Sequence, residues 1–172
     1  MAKKRRKPKM EFRYYQMSAG SPILALLGQK WVQNYGNDVD YLHFHNYLEI
    51  GYCYGGDGFM VLGEEEKRFY GGIVTVIPPN YPHTTNSDIG TVSKWEYLFI
   101  DVEGFMKKFL DNPVKAEKVI QRIYSRALFF EEKENLLSLI HILSSMIIQC
   151  SEGIRLAKWL PTSMITSFRG SK

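Results

Sequence analysis

The 172 residues carry 22 basic and 18 acidic side chains and are 45% hydrophobic, which suits one globular domain with little left over for a second. No apolar run approaches the roughly 18 residues needed to cross a bilayer, and no apolar stretch follows the basic N-terminus, so neither a membrane span nor a secretory signal is expected. The net charge of +4 belongs to an arm rather than to the fold: Lys3, Lys4, Arg5, Arg6, Lys7 and Lys9 are basic, and the remainder of the chain is slightly acidic.

A charged run without apolar periodicity reads as a solvated, disordered arm over residues 1–11, with phosphate contacts as the sharper alternative. Two cysteines, Cys53 and Cys150, lie far apart and form no metal-type pair. Such sparse usage fits buried free thiols in a reducing cytoplasm.

After the arm, the aromatic segment Phe12, Arg13, Tyr14 and Tyr15 reads as an edge strand or as a cover over a pocket. Ser21 and Pro22 interrupt the chain. Residues 23–27 and 31–35 read as short strands around Gly28, ended by the turn residues Gly36, Asn37 and Asp38. From Tyr41 the strand signals are dense: 47–54, 59–62, 67–70 and 73–77, the last stopped by Pro78 and Pro79, and then 95–102. Short strands at this spacing with glycine turns argue for a sandwich or a barrel.

The period then changes to that of helices over 103–110 and 114–125, with Asn112 and Pro113 marking the break. A third helical stretch, 131–150, carries a stripe of Leu136, Leu139, Ile140, Leu143, Met146 and Ile147. Leu137, Ile142 and Ile148 widen it beyond what one buried face requires, which predicts a two-fold homodimer through this segment. Beyond Gly153 the tail has neither clear helical period nor strand alternation.

The chemistry concentrates between Tyr41 and Asn86. His43, His45 and Glu49 alternate onto one face of an extended strand, yet six residues of strand span roughly 20 Å, too far for one small ion. The chain must therefore turn near Asn46 and Tyr47 if these groups converge, and His83 must arrive from another strand. Three imidazoles and one carboxylate form a ligand set for a divalent cation such as zinc, nickel, manganese or ferrous iron. A polar, water-filled interior or a hydrogen-bonded core is the plainer reading. Trp31, Phe44, Tyr54, Trp95 and Tyr97 offer aromatic faces for a small-molecule effector, with Arg13 closing over it; core packing is the alternative for each aromatic.

These residues resemble the cupins. His43, His45, Glu49 and Gly56 match the first cupin motif, and Gly72, Pro78, His83 and Asn86 match the second, with two departures. Asn80 stands where a glycine is usual, and Asn86 follows the histidine one residue early. More specifically, the phrases around Ala25–Gly28, Leu48–Tyr54, Val76–His83 and Trp95–Asp101 resemble the effector-binding and dimerisation domain of AraC/XylS-type transcription regulators, over roughly residues 20–158. The resemblance implies a mainly β fold with C-terminal α structure: a cupin-like (double-stranded β-helix, jelly-roll) barrel over 12–102, then antiparallel dimerisation helices over 103–153. The tail 154–172 lies where a helix-turn-helix domain would begin, so contact with DNA is expected only through a further domain.

The expected function is sensing of a small molecule, a sugar or related metabolite, and dimerisation, with no enzymatic activity and no membrane contact. A small metal-dependent cupin enzyme, an isomerase or oxygenase, is the alternative. The wide apolar helix belongs only to the sensor, and Glu49 is already used as a ligand. No Ser/His/Asp relay or phosphate-cradling glycine loop is present in the sequence.

Overall fold

A computed structural model describes residues 9–37, 41–109 and 112–131. They fall within the first of two units into which the chain divides, residues 1–132. Eleven strands and two helices are described: β1 (Lys9–Arg13), β2 (Ile23–Leu26), β3 (Gln33–Tyr35), β4 (Tyr41–His45), β5 (Leu48–Gly55), β6 (Asp57–Leu62), β7 (Glu65–Tyr70), β8 (Ile73–Ile77), β9 (His83–Ser87), β10 (Ser93–Ile100), α1 (Val102–Phe109), α2 (Pro113–Tyr124) and β11 (Leu128–Glu131). No helix among the described residues is long and apolar enough to cross a membrane.

The strands form two sheets. The first has the order β1-β4-β9-β6-β7, and the second β11-β8-β5-β10-β2, with β3 also on β10. The β1–β4 pair is parallel and the other pairs are antiparallel. Neither order returns on itself, so the expected closed barrel is not formed: this is a mixed-sheet fold of two open sheets followed by helices. The edges explain why. Outermost β7 carries Glu65, Glu66, Lys67 and Arg68, charges that disfavour further pairing, and β2 offers only four paired residues. The chain itself joins the sheets, crossing between β4 and β5 and between β8 and β9.

Side-chain alternation places one face of each sheet against the other. Met60, Leu62 and Phe69 from the first sheet share a core with Cys53, Ile73, Ile77, Trp95, Tyr97 and Phe99 from the second. Phe69 meets Trp95 edge-on with ring centroids 5.1 Å apart, one of the aromatic contacts that join the layers. Leu48, Val74, Val76 and Ile100, of the opposite parity, are buried as well, so the outer face of the second sheet is covered in part.

The helices expected at 103–110 and 114–125 are present as α1 and α2. Asp101 caps α1 by accepting from Gly104 N–H at 2.9 Å. Asn112 caps α2, accepting from Val114 at 3.0 Å and Lys115 at 3.1 Å, with Pro113 in the first turn where its missing N–H costs nothing. The third expected helix and the stripe Leu136, Leu139, Ile140, Leu143, Met146 and Ile147 lie outside the described residues. Glu131, where that helix is expected to start, instead ends β11, which pairs with β8.

Candidate metal centre and ligand site

His45 is the last residue of the first sheet's β4, and Glu49 is the second residue of the second sheet's β5. Between them Asn46 and Tyr47 carry the chain across, the turn required by their spacing. His83 opens β9 and pairs with His43 on β4, which brings it to the same inner face. The result is a cluster of His45, Glu49 and His83, all buried, whose candidate ligand atoms lie within 4.8 Å of one another.

Backbone carbonyls settle which imidazole nitrogen is available. His45 Nδ1 lies 2.8 Å from Tyr47 O, and His83 Nδ1 lies 2.9 Å from Tyr81 O. A carbonyl only accepts, so each Nδ1 holds a proton and donates it, which makes Nε2 the atom of each ring that is free to bind a metal. His45 Nε2 is 3.0 Å from Glu49 Oε2, and His83 Nε2 is 3.7 Å from Glu49 Oε1. Neither Nε2 is aligned for a hydrogen bond. A cation among the three would pair with both Nε2 atoms and the carboxylate.

Burial pushes the Glu49 carboxyl upward, but His83 and His45 outweigh it and hold the group below the usual carboxylate range. The residues therefore fit a divalent ion: three buried donors, of which two are imidazoles with fixed tautomers whose Nε2 atoms have no hydrogen-bond partner. Together they form a candidate site for one such ion, with zinc, nickel, manganese and iron compatible with the donor set. When bound, such an ion acts as a Lewis acid toward oxygen ligands.

His43 stands beside this trio. Its ring centroid is 4.1 Å from that of His83 and 6.4 Å from that of His45, and its Nδ1 has no hydrogen-bond partner. It is not among the three residues whose ligand atoms lie within 4.8 Å of one another. Burial, reinforced by His83, lowers its pKa to about 3.

The other residues singled out in the sequence divide by sheet face. Trp95 and Tyr97 lie on the inner face of β10, fully buried and nearly so, with ring centroids 6.2 Å apart. Arg13 pairs in register with His45 and takes the same side of the sheet. Phe44, between His43 and His45, alternates to the outer side, where Phe12 is 5.3 Å away. Tyr54 is half exposed on the outer side of β5 and donates to Glu96 Oε2 at 2.5 Å. Trp31 is half exposed in the turn after β2.

Sequence reasoning named Tyr15 only within a segment that could cover a pocket, and missed Tyr35 and Phe99. The Tyr15 ring stacks on Phe99 at 3.9 Å and meets His45 edge-on at 5.9 Å. Asn46 fastens this segment from both sides: Tyr15 N–H donates to Asn46 Oδ1, and Asn46 Nδ2 donates to Tyr15 O, both at 2.9 Å. Tyr35 and Tyr97 share a hydroxyl hydrogen bond of 2.9 Å. Strict alternation from Trp95 through Tyr97 would have found Phe99; nothing local in the sequence pairs Tyr15 with Asn46.

The expectation that the chain is not an enzyme does not stand. A buried His/Glu/His trio able to hold a divalent cation has catalytic potential, because such ions polarise carbonyl oxygens and acidify bound water.

The family model of the AraC-like ligand binding domain matches residues 33–141, more than half of the chain. None of the curated proteins matches it. Among solved structures, ToxT from Vibrio cholerae is 11% identical with a TM-score of 0.46, over 86% of this chain and 55% of that one, so this chain spans about half of ToxT. A cupin protein from Bacteroides fragilis is 17% identical with a TM-score of 0.38, over 51% of this chain and 83% of that one. A cupin 2 conserved barrel domain protein from Rhodopseudomonas palustris is 14% identical with a TM-score of 0.38, over 60% of this chain and 85% of that one.

Proposed function

We propose, because this chain belongs to the AraC-like ligand binding domain family, that it is the small-molecule-sensing and dimerisation module of an AraC-type transcription regulator. Its effector is a sugar or related metabolite received between the two sheets beside the His45, Glu49 and His83 cluster. The observation that carries this is where the unsatisfied polar atoms fall. Among the described residues, the buried side-chain polar atoms with no hydrogen-bond partner are His43 Nδ1, His45 Nε2, Thr75 Oγ1, His83 Nε2 and Trp95 Nε1.

All five residues stand on inner faces: His43 with His83 in register, Thr75 opposite Gly51, and Trp95 opposite Cys53. Each such atom costs about 1–3 kcal/mol while unpaired. With His45 Nε2 and His83 Nε2 taken by a metal, a ligand rich in hydroxyl groups offers partners for the other three, and the aromatic faces of Trp95 and Tyr97 complement its apolar edges. DNA recognition lies with a separate helix-turn-helix domain.

Dimerisation uses the apolar stripe at 136–147. Leu139→Glu with Ile140→Glu should convert a dimer into a monomer in sedimentation velocity, while the melting response to effector is retained. A dimer unchanged by both substitutions removes the stripe from the interface. For sensing, a thermal-shift screen of sugars and related metabolites, with metal present, should return a ligand that raises the melting temperature, since a molecule that binds only the folded chain must stabilise it. No stabilising ligand in a broad panel would count against the reading. The buried trio also favours a second reading, a metal-dependent isomerase or oxygenase, and conversion of the stabilising ligand to product would select it.

A further inference from the structure

We infer that Arg13 is an anion-recognising residue at the rim of the His45, Glu49 and His83 site, and that the molecule received there is a small carboxylate with a neighbouring oxygen, such as a 2-hydroxy acid or sugar acid. The inference rests on the reading above of this cluster as a metal-assisted ligand site and adds the charge and chemical class of the ligand.

Register supplies the first observation. In the parallel β1–β4 pair, Arg13 stands directly opposite His45 and Glu11 opposite His43, so the Arg13 side chain leaves the sheet on the side of the metal donors. Its hydrogen bonds supply the second. Nε donates to Glu11 Oε1 at 2.7 Å, and NH2 donates to the Tyr41 hydroxyl at 3.0 Å. The guanidinium also lies 5.9 Å from the centroid of the Tyr41 ring. These contacts fix the plane of the fork while using only part of its five-donor capacity. Arg13 also interacts with the Tyr15 hydroxyl, and a fork held in a set plane suits a planar carboxylate.

Charge balance supplies the third. A divalent ion held by neutral imidazoles and the Glu49 carboxylate leaves one positive charge in the interior. Arg13 adds another. Glu11 is half exposed, so its offset is weakened by solvent. A neutral sugar leaves the charge of a bound ion buried and uncompensated, whereas a carboxylate cancels it and can also meet Arg13, whose side chain is 30% exposed and shared with Glu11. The adjacent oxygen of a 2-hydroxy acid is a hard donor suited to a metal that has only three protein ligands here.

The test compares two small probes that differ in a carboxylate, glycolate and ethylene glycol, on the full 172-residue chain loaded with zinc. Zinc uptake is measured first by elemental analysis, then probe binding by calorimetry and thermal shift. Glycolate should bind at least tenfold more tightly than ethylene glycol. Arg13→Met should weaken glycolate by roughly tenfold, the loss of a charge-assisted contact, with zinc uptake not reduced, and Arg13→Lys should restore part of the difference. Equal binding of the two probes, or an Arg13→Met variant that keeps its glycolate affinity, overturns the inference and leaves the metal site standing. A wild-type chain that takes up no zinc overturns both.

Discussion

Replacing Glu49 by glutamine should change stability in opposite directions with and without metal. The side chain keeps its size and its place among His45, His83 and Phe99, so packing is nearly unchanged. In chelator at pH 8 the wild-type carboxylate lies 3.0 Å from His45 Nε2 with no hydrogen bond between them. A glutamine amide there donates to Nε2 instead, and one such bond contributes about 0.5–1.5 kcal/mol. The variant should therefore melt no lower than the wild type, and up to a few degrees higher.

With zinc at a hundredfold its dissociation constant the wild type gains about 2.7 kcal/mol, and the variant, with its anionic ligand gone, should gain far less. Urea denaturation at pH 8, with chelator and with zinc, reads both signs. A variant that loses 3–5 kcal/mol in chelator at pH 8, the mark of a broken buried ion pair, or one that retains the full zinc response, would refute the reasoning.

Asn80 has φ near 60°, in the left-handed region, and its N–H donates to His45 O at 2.7 Å. Asn80→Gly should thus be neutral within about 0.5 kcal/mol, while β-branched Asn80→Val should cost about 1–2 kcal/mol in urea denaturation; equal midpoints would show that the turn is not fixed there. Burial raises the Cys53 thiol to about 11. In a Cys150→Ser background it should react with a disulfide reagent at pH 8 at least a hundredfold more slowly when folded than in urea, and fast labelling of the folded chain would show that β5 opens readily.

The candidate site was more legible than the framework that holds it. The spacing of His43, His45 and Glu49 required a turn at Asn46 and Tyr47, because strand geometry is rigid enough to rule out convergence along one strand. Residue types identified His83 as a ligand candidate, but its strand β9, His-Thr-Thr-Asn-Ser, is buried throughout and carries no apolar alternation to read. β11 escaped for a different reason: four residues are too few to establish a period, and the helical pattern that follows claimed Glu131. Closure of the sheets depends on pairing at the edges, which side-chain pattern reports only weakly, so motif resemblance suggested a closed barrel that the strand order does not form. Asn80 shows how a departure from a motif can preserve its physics, since asparagine tolerates the left-handed backbone better than most residues do.

The open arrangement makes the site's composition intelligible. A metal donor set drawn from one strand would be spread along its length, and one drawn from adjacent strands of a single sheet would project in parallel from one face. Here His45 and His83 come from one layer and Glu49 from the other, so their side chains approach from opposite sides and meet between the sheets. The short crossing at Asn46 and Tyr47 performs that change of layer. The same two residues also serve the site's surroundings: Tyr47 O fixes the His45 tautomer, and Asn46 fastens the segment that lays Tyr15 against His45 and Phe99. Donor placement, donor tautomer and the N-terminal cover are therefore set by one turn. A substitution there acts on all three together, whereas Arg13, two residues before Tyr15, addresses only what enters from the rim.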